Sequence, residues 1–530
     1  MTKANILDFW PVKAFEPRAS QIKALLWLEE QDAKYIFLDA PVGFGKSLVG
    51  ITYSRWLSNG KGNSFILTPQ IILQRQYENE KIDDQRSLGS IYGKSNYTCA
   101  RFNTTCDIGS LLKKCKGGCA YTTALNKSKD TNNLIMNYTL ALLMFGFTQV
   151  YDPRKLMICD EMHNLESQLV NFNLLTISRK RTDGYKLKMQ RFSKIEDGFV
   201  WMRDVYFPRV QEELEDLNEQ VRDIIDNIDE NTPKSDLQLV KKYDALVSHV
   251  NTIDSFINDQ RDTYHLDYVM ISDNFKLEFK PVYGKDNFND MLKNKADKFL
   301  FMSGTILNKK QRCKDLGIPE EESAFLSLES EFDKDNRPVV YLPGMKMNAS
   351  WKDDENEEKR KKYLNILDTV LELHEDETGI IHTGNFKIAE YLVKHLSTQH
   401  RFKIYHHNPE SGNDRNTVID MFTRDNKPRI LISPSITEGL DLKHDKGRFA
   451  VIAKIPYGYL GDAWIKRRLE ISSEWYSCEA AKDIIQGCGR IVRSSDDYGT
   501  TYIIDESWNY FYYKNSHLFP KWWKQAYTKI

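Results

Sequence analysis

The residues best equipped for chemistry close one short stretch, Pro41-Val42-Gly43-Phe44-Gly45-Lys46-Ser47. Gly43 and Gly45 let backbone N–H groups turn inward around phosphate oxygens, and a helix starting directly behind them favours negative charge. Lys46 has the reach for β- and γ-phosphates, and the Ser47 hydroxyl suits Mg²⁺. A second pair, Asp160-Glu161, ends the apolar run Leu156 to Cys159. Asp160 is placed to hold Mg²⁺, and Glu161 to orient and deprotonate an attacking water. Together the two stretches predict a nucleoside triphosphate site.

Three other groups carry weaker signals. Arg18-Ala-Ser-Gln21 opens a helical pattern, and the paired donor and acceptor of Gln21 match an adenine edge or serve an ordinary helix start. Near the other end, Gln486-Gly-Cys-Gly-Arg490-Ile-Val-Arg493 places two arginines three apart. On one helix face they would stabilise a γ-phosphate from across a domain seam, or form a surface salt-bridge face. Between the two phosphate stretches lie Cys99, Cys106, Cys115 and Cys119, half of the eight cysteines, among Lys113, Lys114 and Lys116. Four thiolates this close suit an iron–sulfur cluster or zinc. Only Cys115 and Cys119 have the tight spacing usual in zinc sites.

The elements that must position these residues alternate. Tyr35 to Leu38, Ser64 to Thr68, Leu134 to Tyr138, Leu156 to Cys159 and Lys298 to Thr305 read as strands between helical patterns. A second series follows: Gly379 to His382, Phe402 to Tyr405, Arg429 to Ser433, Phe449 to Ile455 and Thr501 to Asp505. Asn336-Arg-Pro338 and the charged stretch Trp351 to Lys362 read as the boundary between the series. Residues 170 to 285 differ. Val210, Leu217, Val221 and Ile228, then Leu239, Leu246, Val250 and Ile257, follow heptad spacing in two helices joined at Thr232-Pro233. Each span is about 28 Å long at the usual helical rise.

The 530 residues exceed what one core supports, and 41% hydrophobic with 28% charged residues describes a soluble globular chain. A net charge of −1 gives no global field, so a polyanion site needs a local basic patch. The longest apolar run, Leu140 to Phe147, is too short to span a bilayer. Cysteines without an export signal predict a reducing compartment, cytoplasmic or, in a eukaryote, nuclear.

Taken in order, these stretches resemble the motifs of superfamily 2 helicases, specifically the XPD/DinG family of iron–sulfur helicases. Arg18-x-x-Gln21 is similar to the adenine motif, the Pro41–Ser47 loop to motif I, Thr68-Pro69 to motif Ia, and Asp160-Glu-Met-His163 to the DEAH box. Ser303-Gly-Thr305 resembles motif III, Thr383-Gly-Asn385 motif IV, Glu438-Gly439-Leu-Asp441 motif V, and Gln486 to Arg493 motif VI. Met162 and Gly304 stand where many members have alanine. The resemblance implies two RecA-like parallel-sheet domains of α/β class, with a four-cysteine module (91–125) and a helical Arch (171–285) inserted in the first. The first domain is then 1–90, 126–170 and 286–335, and the second 336–530. It implies ATP, Mg²⁺ and a 4Fe–4S cluster on the four cysteines, with zinc the alternative. Catalytic roles fall to Lys46, Asp160, Glu161, His163, Gln486, Arg490 and Arg493, and nucleotide contacts also to Gly439 and Asp441. Thr68, Asn137, Thr383, Asn385 and Thr437 are expected to touch single-stranded DNA. The expected activity is 5′ to 3′ translocation and unwinding of forked duplex by a monomeric motor, without membrane partners. A DNA-stimulated translocase that remodels protein–DNA complexes, or a non-catalytic nucleic-acid scaffold, are the alternatives.

Overall fold

Strands that are apolar on both faces need helices on both sides, and the core is built that way. The computed structural model describes all residues except 1–3, 100–103, 112–118, 173, 228–231, 259–267, 408–413, 426 and 435–441. Two parallel seven-stranded sheets form its frame. Across the first, the neighbours are Ser323–Ser327, Tyr35–Asp39, Ala296–Ser303, Arg154–Asp160, Ser64–Thr68, Asn133–Asn137 and Leu88–Ser90. Tyr35 pairs with Phe299 on one side and Ser323 on the other, which sets the register of the strand before the glycine-rich loop. Alternation then splits the side chains: Tyr35 and Phe37 join Phe299 and Phe301 on one face, while Ile36 and Leu38 meet Leu25, Val49 and Ile51 on the other. Phe37 and Phe301 stack at 4.8 Å. Full burial of such a side chain contributes roughly 1.5–3 kcal/mol.

The second sheet runs Ile404–His406, Ile430–Ser433, Gly379–His382, Phe449–Ile452, Thr500–Asp505, Val339–Met345 and Tyr527–Lys529. It takes its first strand directly after Asn336-Arg-Pro338. The charged stretch Trp351 to Lys362 therefore lies inside the second unit, leading into the helix Glu357–Leu373, and is not a boundary. Its Tyr363 is buried against that sheet.

The chain leaves the first sheet twice. After Leu88–Ser90 it forms the hairpin Thr98–Cys99 with Thr104–Thr105 and the helices Cys106–Leu111 and Ala120–Lys129. After the helix Leu165–Phe172 it forms the larger insertion. There the helices Phe207–Asn227 and Lys234–Asn258 pack along Val210, Leu217 and Val221 against Val240, Leu246 and Ile253; the first helix follows its heptads, whereas on the second Val240 is buried in place of Leu239, and Val250 and Ile257 are only partly covered. The insertion is not purely helical. An antiparallel sheet at its base places Lys276–Pro281 between Leu175–Ser178 and Tyr268–Ser272. The two insertions touch, with Lys241 Nζ 3.9 Å from Asp107.

Candidate active site

Parallel strands present their carboxyl ends on one edge, and ligands bind in the crevice outside that edge. Asp39, Asp160 and Ser303 end three adjacent strands there. Gly43 and Gly45 adopt φ of +81° and +80°, left-handed values that glycine takes without strain. Gly45 is then the N-cap of the helix Lys46–Ser58, whose free N–H groups face the loop. Lys46 Nζ lies 3.3 Å from the Ala40 carbonyl and 3.9 Å from Glu161 Oε1.

Arg18 and Gln21 hold this loop from behind. Arg18 donates to the Gly43 carbonyl at 2.8 Å and also to that of Phe44, and Gln21 Nε2 donates to Phe44 at 2.9 Å. The Gln21 oxygen accepts from the Arg18 N–H, so both ends of its amide are engaged within the protein. These bonds use one donor and one acceptor position of the amide and leave one of each.

Asp160 is buried, and burial followed by the charge of Glu161 raises its pKa to about 6 against the pull of Lys46. Together with the Ser47 hydroxyl this donor set fits a divalent cation, whose charge would restore the carboxylate. Tyr77, 2% exposed, has its pKa raised by burial and then by the charge of Asp160, and burial likewise raises that of Glu80, so both stand close to this donor set. Neither residue belongs to any motif recognised in the sequence. Glu161 takes φ +47°, a left-handed conformation costing a non-glycine residue roughly 1–2 kcal/mol. Burial alone would raise its pKa, but Lys46, Arg490 and Arg493 outweigh burial and hold it below the usual value.

His163 connects the two halves. Gln486 Nε2 approaches its Nε2 at 2.9 Å and Asn164 Nδ2 at 3.1 Å. Two amide donors on one ring nitrogen make it the acceptor, so Nδ1 carries the proton and donates to Ser303 Oγ at 2.9 Å. Gln486 also donates to Thr305 at 3.2 Å. Burial keeps the imidazole neutral, lowering its pKa to about 3. One chain of hydrogen bonds therefore joins the Asp-Glu turn, the Ser-Gly-Thr turn and the Gln486 helix.

Arg490 and Arg493 do not share a helix face. The helix Ser473–Cys488 ends with Gly489 as its cap, and both arginines lie in the turn beyond. A Cβ on Gly489 would stand 3.8 Å from Val42, so this turn lies against the glycine-rich loop. Both guanidinium groups act on Glu161 from there.

Four of the residues expected to touch a strand, Thr68, Asn137, Thr383 and Asn385, lie at or just after strand ends, and their side chains have local work. Thr68 and Thr383 are buried and bond the carbonyls of Gln70 and Asn385. Asn137 and Asn385 cap helices, accepting from Leu140 and Ile388 at 2.8 Å. Thr437, Gly439 and Asp441 lie outside the described residues. A cleft of about 550 Å³ opens at the same edge, between Gln70 of the first half and His382, Arg415, Lys454 and Lys482 of the second. Its cationic side chains share the lining with Asp483, and Lys482 pairs with Glu479 at 2.6 Å and with Asp483 at 3.5 Å.

In the smaller insertion Cys99 and Cys106 are buried and Cys119 caps a helix. The Thr122 hydroxyl and N–H lower the Cys119 pKa, which favours the thiolate a metal needs. Cys115 and Lys113, Lys114 and Lys116 lie outside the described residues, and among the described residues no three ligands converge on one point.

Comparison with known proteins agrees with this arrangement. Residues 370–526 match the family model described as a helicase C-terminal domain. The chain is 27% identical over 213 residues to the ATP-dependent DNA helicase DinG of Photobacterium profundum, covering 36% of this chain and 29% of that protein. It is 35% identical over 99 residues to the XPD/RAD3 helicase subunit of general transcription and DNA repair factor IIH from Saccharomyces cerevisiae, covering 17% and 12%. The match to the ATP-dependent DNA helicase YoaA of Escherichia coli is longer, 20% over 485 residues, or 82% of this chain and 74% of that one. The first two matches thus span less than a third of either relative. A solved structure described as XPD helicase superposes with a TM-score of 0.64 at 16% identity, covering 97% of this chain and 99% of that one, which shows a common fold. No described helix is long and apolar enough to cross a membrane. The C-terminal part of the chain thus matches the helicase C-terminal domain family, and in fold and partial sequence the chain is similar to helicases of the XPD and DinG kind.

Proposed function

We propose that this protein is an ATP-driven DNA helicase that moves 5′ to 3′ on single-stranded DNA and separates duplex ahead of it. The observation that carries the reading is the seam itself: Lys46, Asp160 and Glu161 from one half face Arg490 and Arg493 from the other, joined through the Gln486–His163 bond. Lys46 and the loop N–H groups bind the phosphates, Glu161 takes the proton of the attacking water, and the arginines offset charge on the γ-phosphate. Ser47 and Asp160 would hold a Mg²⁺, which would supply charge neutralisation for the phosphates. Closure and opening of the two halves then alternates their grip on the strand. The strand runs through the cleft, with the turns at Thr68, Asn137, Thr383 and Asn385 presenting backbone N–H groups to phosphates and Thr437 as a further contact. A strand-displacement assay tests this: a duplex with a 5′ tail is expected to separate and one with a 3′ tail to stay intact. ATPase stimulation without displacement would favour a remodelling translocase, and no hydrolysis a scaffold.

Cys99, Cys106, Cys115 and Cys119 hold a 4Fe–4S cluster in this reading, and the Cys119 environment fits a thiolate ligand. Such a cluster would cross-link the segment. Protein purified without oxygen is expected to be brown, with about four irons per chain. Stoichiometric zinc without visible absorption would reverse the assignment. Cys115→Ser should abolish unwinding but spare DNA-independent ATPase, since Lys46 and Glu161 lie outside the module.

A further inference from the structure

The nucleotide seam is not the sole junction between the halves. Beside it, the second half sends the helix Ala463–Ile471 and the start of Ser473–Cys488 into a notch built by three separate segments of the first. These are the helix Leu165–Phe172 behind the Asp-Glu turn, the helix Lys309–Leu316 behind the Ser-Gly-Thr turn, and residues 281–283, where the larger insertion returns to the core.

Arg468 binds all three. It is 1% exposed, with Nη2 2.7 Å from Asp315 Oδ1 and 2.8 Å from Glu166 Oε1, while Nη1 donates to the Val282 carbonyl at 3.1 Å. Its guanidinium lies 4.5 Å from the Trp475 ring and 4.6 Å from that of Tyr283. Next to it Trp464 Nε1 donates to the Pro281 carbonyl at 2.7 Å, with the Lys280 ammonium 4.4 Å over its ring. Val170 and Val269 pack into the same cluster.

Two features give this junction a different mechanical role from the seam. Asp315 and Glu166 are buried and share the Arg468 cation, and pulling it away would leave Asp315 to Arg312 at 3.7 Å and Gln311, and Glu166 to the Trp475 N–H, an unfavourable state. The junction therefore stays assembled while the seam opens. In addition, Pro281 ends the central strand of the base sheet that carries the helical hairpin. A movement of the Ala463–Ile471 helix is thus applied to the middle strand of the hairpin's support.

Building on the motor reading above, we propose that Arg468 and Trp464 form a pivot that delivers the rotation of the second half to the helical insertion, so that each ATP cycle moves the hairpin. Both are positioning residues; neither contacts the reacting phosphates.

The test uses the full chain carrying Trp464→Phe, which keeps the ring and removes the N–H, and separately Arg468→Lys, which keeps the charge but not the three-way reach. Two quantities are read. One is base pairs opened per ATP hydrolysed on a tailed duplex. The other is the change in energy transfer between dyes on the exposed residues Glu219 (hairpin) and Lys23 (first half) when a non-hydrolysable ATP analogue is added. DNA-stimulated ATPase and melting temperature should stay near wild type in Trp464→Phe. Base pairs per ATP should fall about fivefold, the scale of one lost buried hydrogen bond, and the transfer change should shrink with it. Arg468→Lys should act in the same direction, and more strongly. Unchanged coupling and transfer in both variants would overturn the pivot, as would equal losses of ATPase and unwinding. A wild-type protein without DNA-stimulated ATPase would instead remove the motor reading, and the pivot with it.

Discussion

Replacing Glu161 with Gln is expected to lower ATP turnover about 10²–10⁴-fold while ATP still binds, the size of effect usual for losing a general base. The substitution keeps the side-chain shape and leaves the left-handed turn at φ +47° in place. It removes the one carboxylate that Lys46, Arg490 and Arg493 hold ionised. Lys46→Ala is expected to act differently, weakening nucleotide binding itself because the ammonium that meets the phosphates is gone. Titration with a fluorescent ATP analogue, followed by single-turnover hydrolysis with single-stranded DNA, separates the two outcomes. Wild-type hydrolysis in Glu161→Gln would remove Glu161 as the base and leave Asp160 or a water chain to be considered.

That these roles were legible in the sequence follows from how few residue types can perform them. A loop that turns N–H groups inward needs glycine, and a strand that ends on a metal needs a carboxylate. The heptads of the hairpin were legible for a similar reason, since apolar spacing alone determines which helix faces meet. What the sequence concealed is mostly non-local. The base sheet joins Leu175–Ser178 to Lys276–Pro281, about a hundred residues later, and no local pattern marks such a pairing. Arg468 sits in a helix among Lys466, Arg467 and Glu470 and looks like surface charge, although it is 1% exposed. Its burial comes from three segments that only the fold assembles. Other differences had a local signal. Gly487 and Gly489 bracket the end of the helix Ser473–Cys488, so glycine marked the stop before Arg490. The hydroxyls of Thr68 and Thr383 close their own turns, a habit of threonine at strand ends that competes with any ligand role.

The second large effect is expected from removing the helical hairpin. With residues 210–257 replaced by a short Gly/Ser linker, DNA-stimulated ATPase should stay near its original level while strand displacement disappears. The site residues Lys46, Glu161 and Gln486 and the cleft at Arg415 and Lys454 all lie outside the removed segment, so hydrolysis and strand binding keep their machinery. The hairpin, by contrast, is built as a wall. Its helices of 21 and 25 residues are about 30–38 Å long, and Val210, Leu217 and Val221 lock them together. The wall meets the cysteine insertion through Lys241 and Asp107, 3.9 Å apart, and an exposed pair of this kind is worth little. A contact between the two insertions that opens at low cost is what a gate admitting one strand and excluding the duplex would need. The linker variant also loses His249, which bonds Tyr206 and Arg181 at the hairpin's foot, so a melting curve should accompany the assay. Unchanged displacement by a folded variant would mean that the hairpin is a docking surface for other proteins, and strand separation would then have to occur at the cysteine insertion or the cleft.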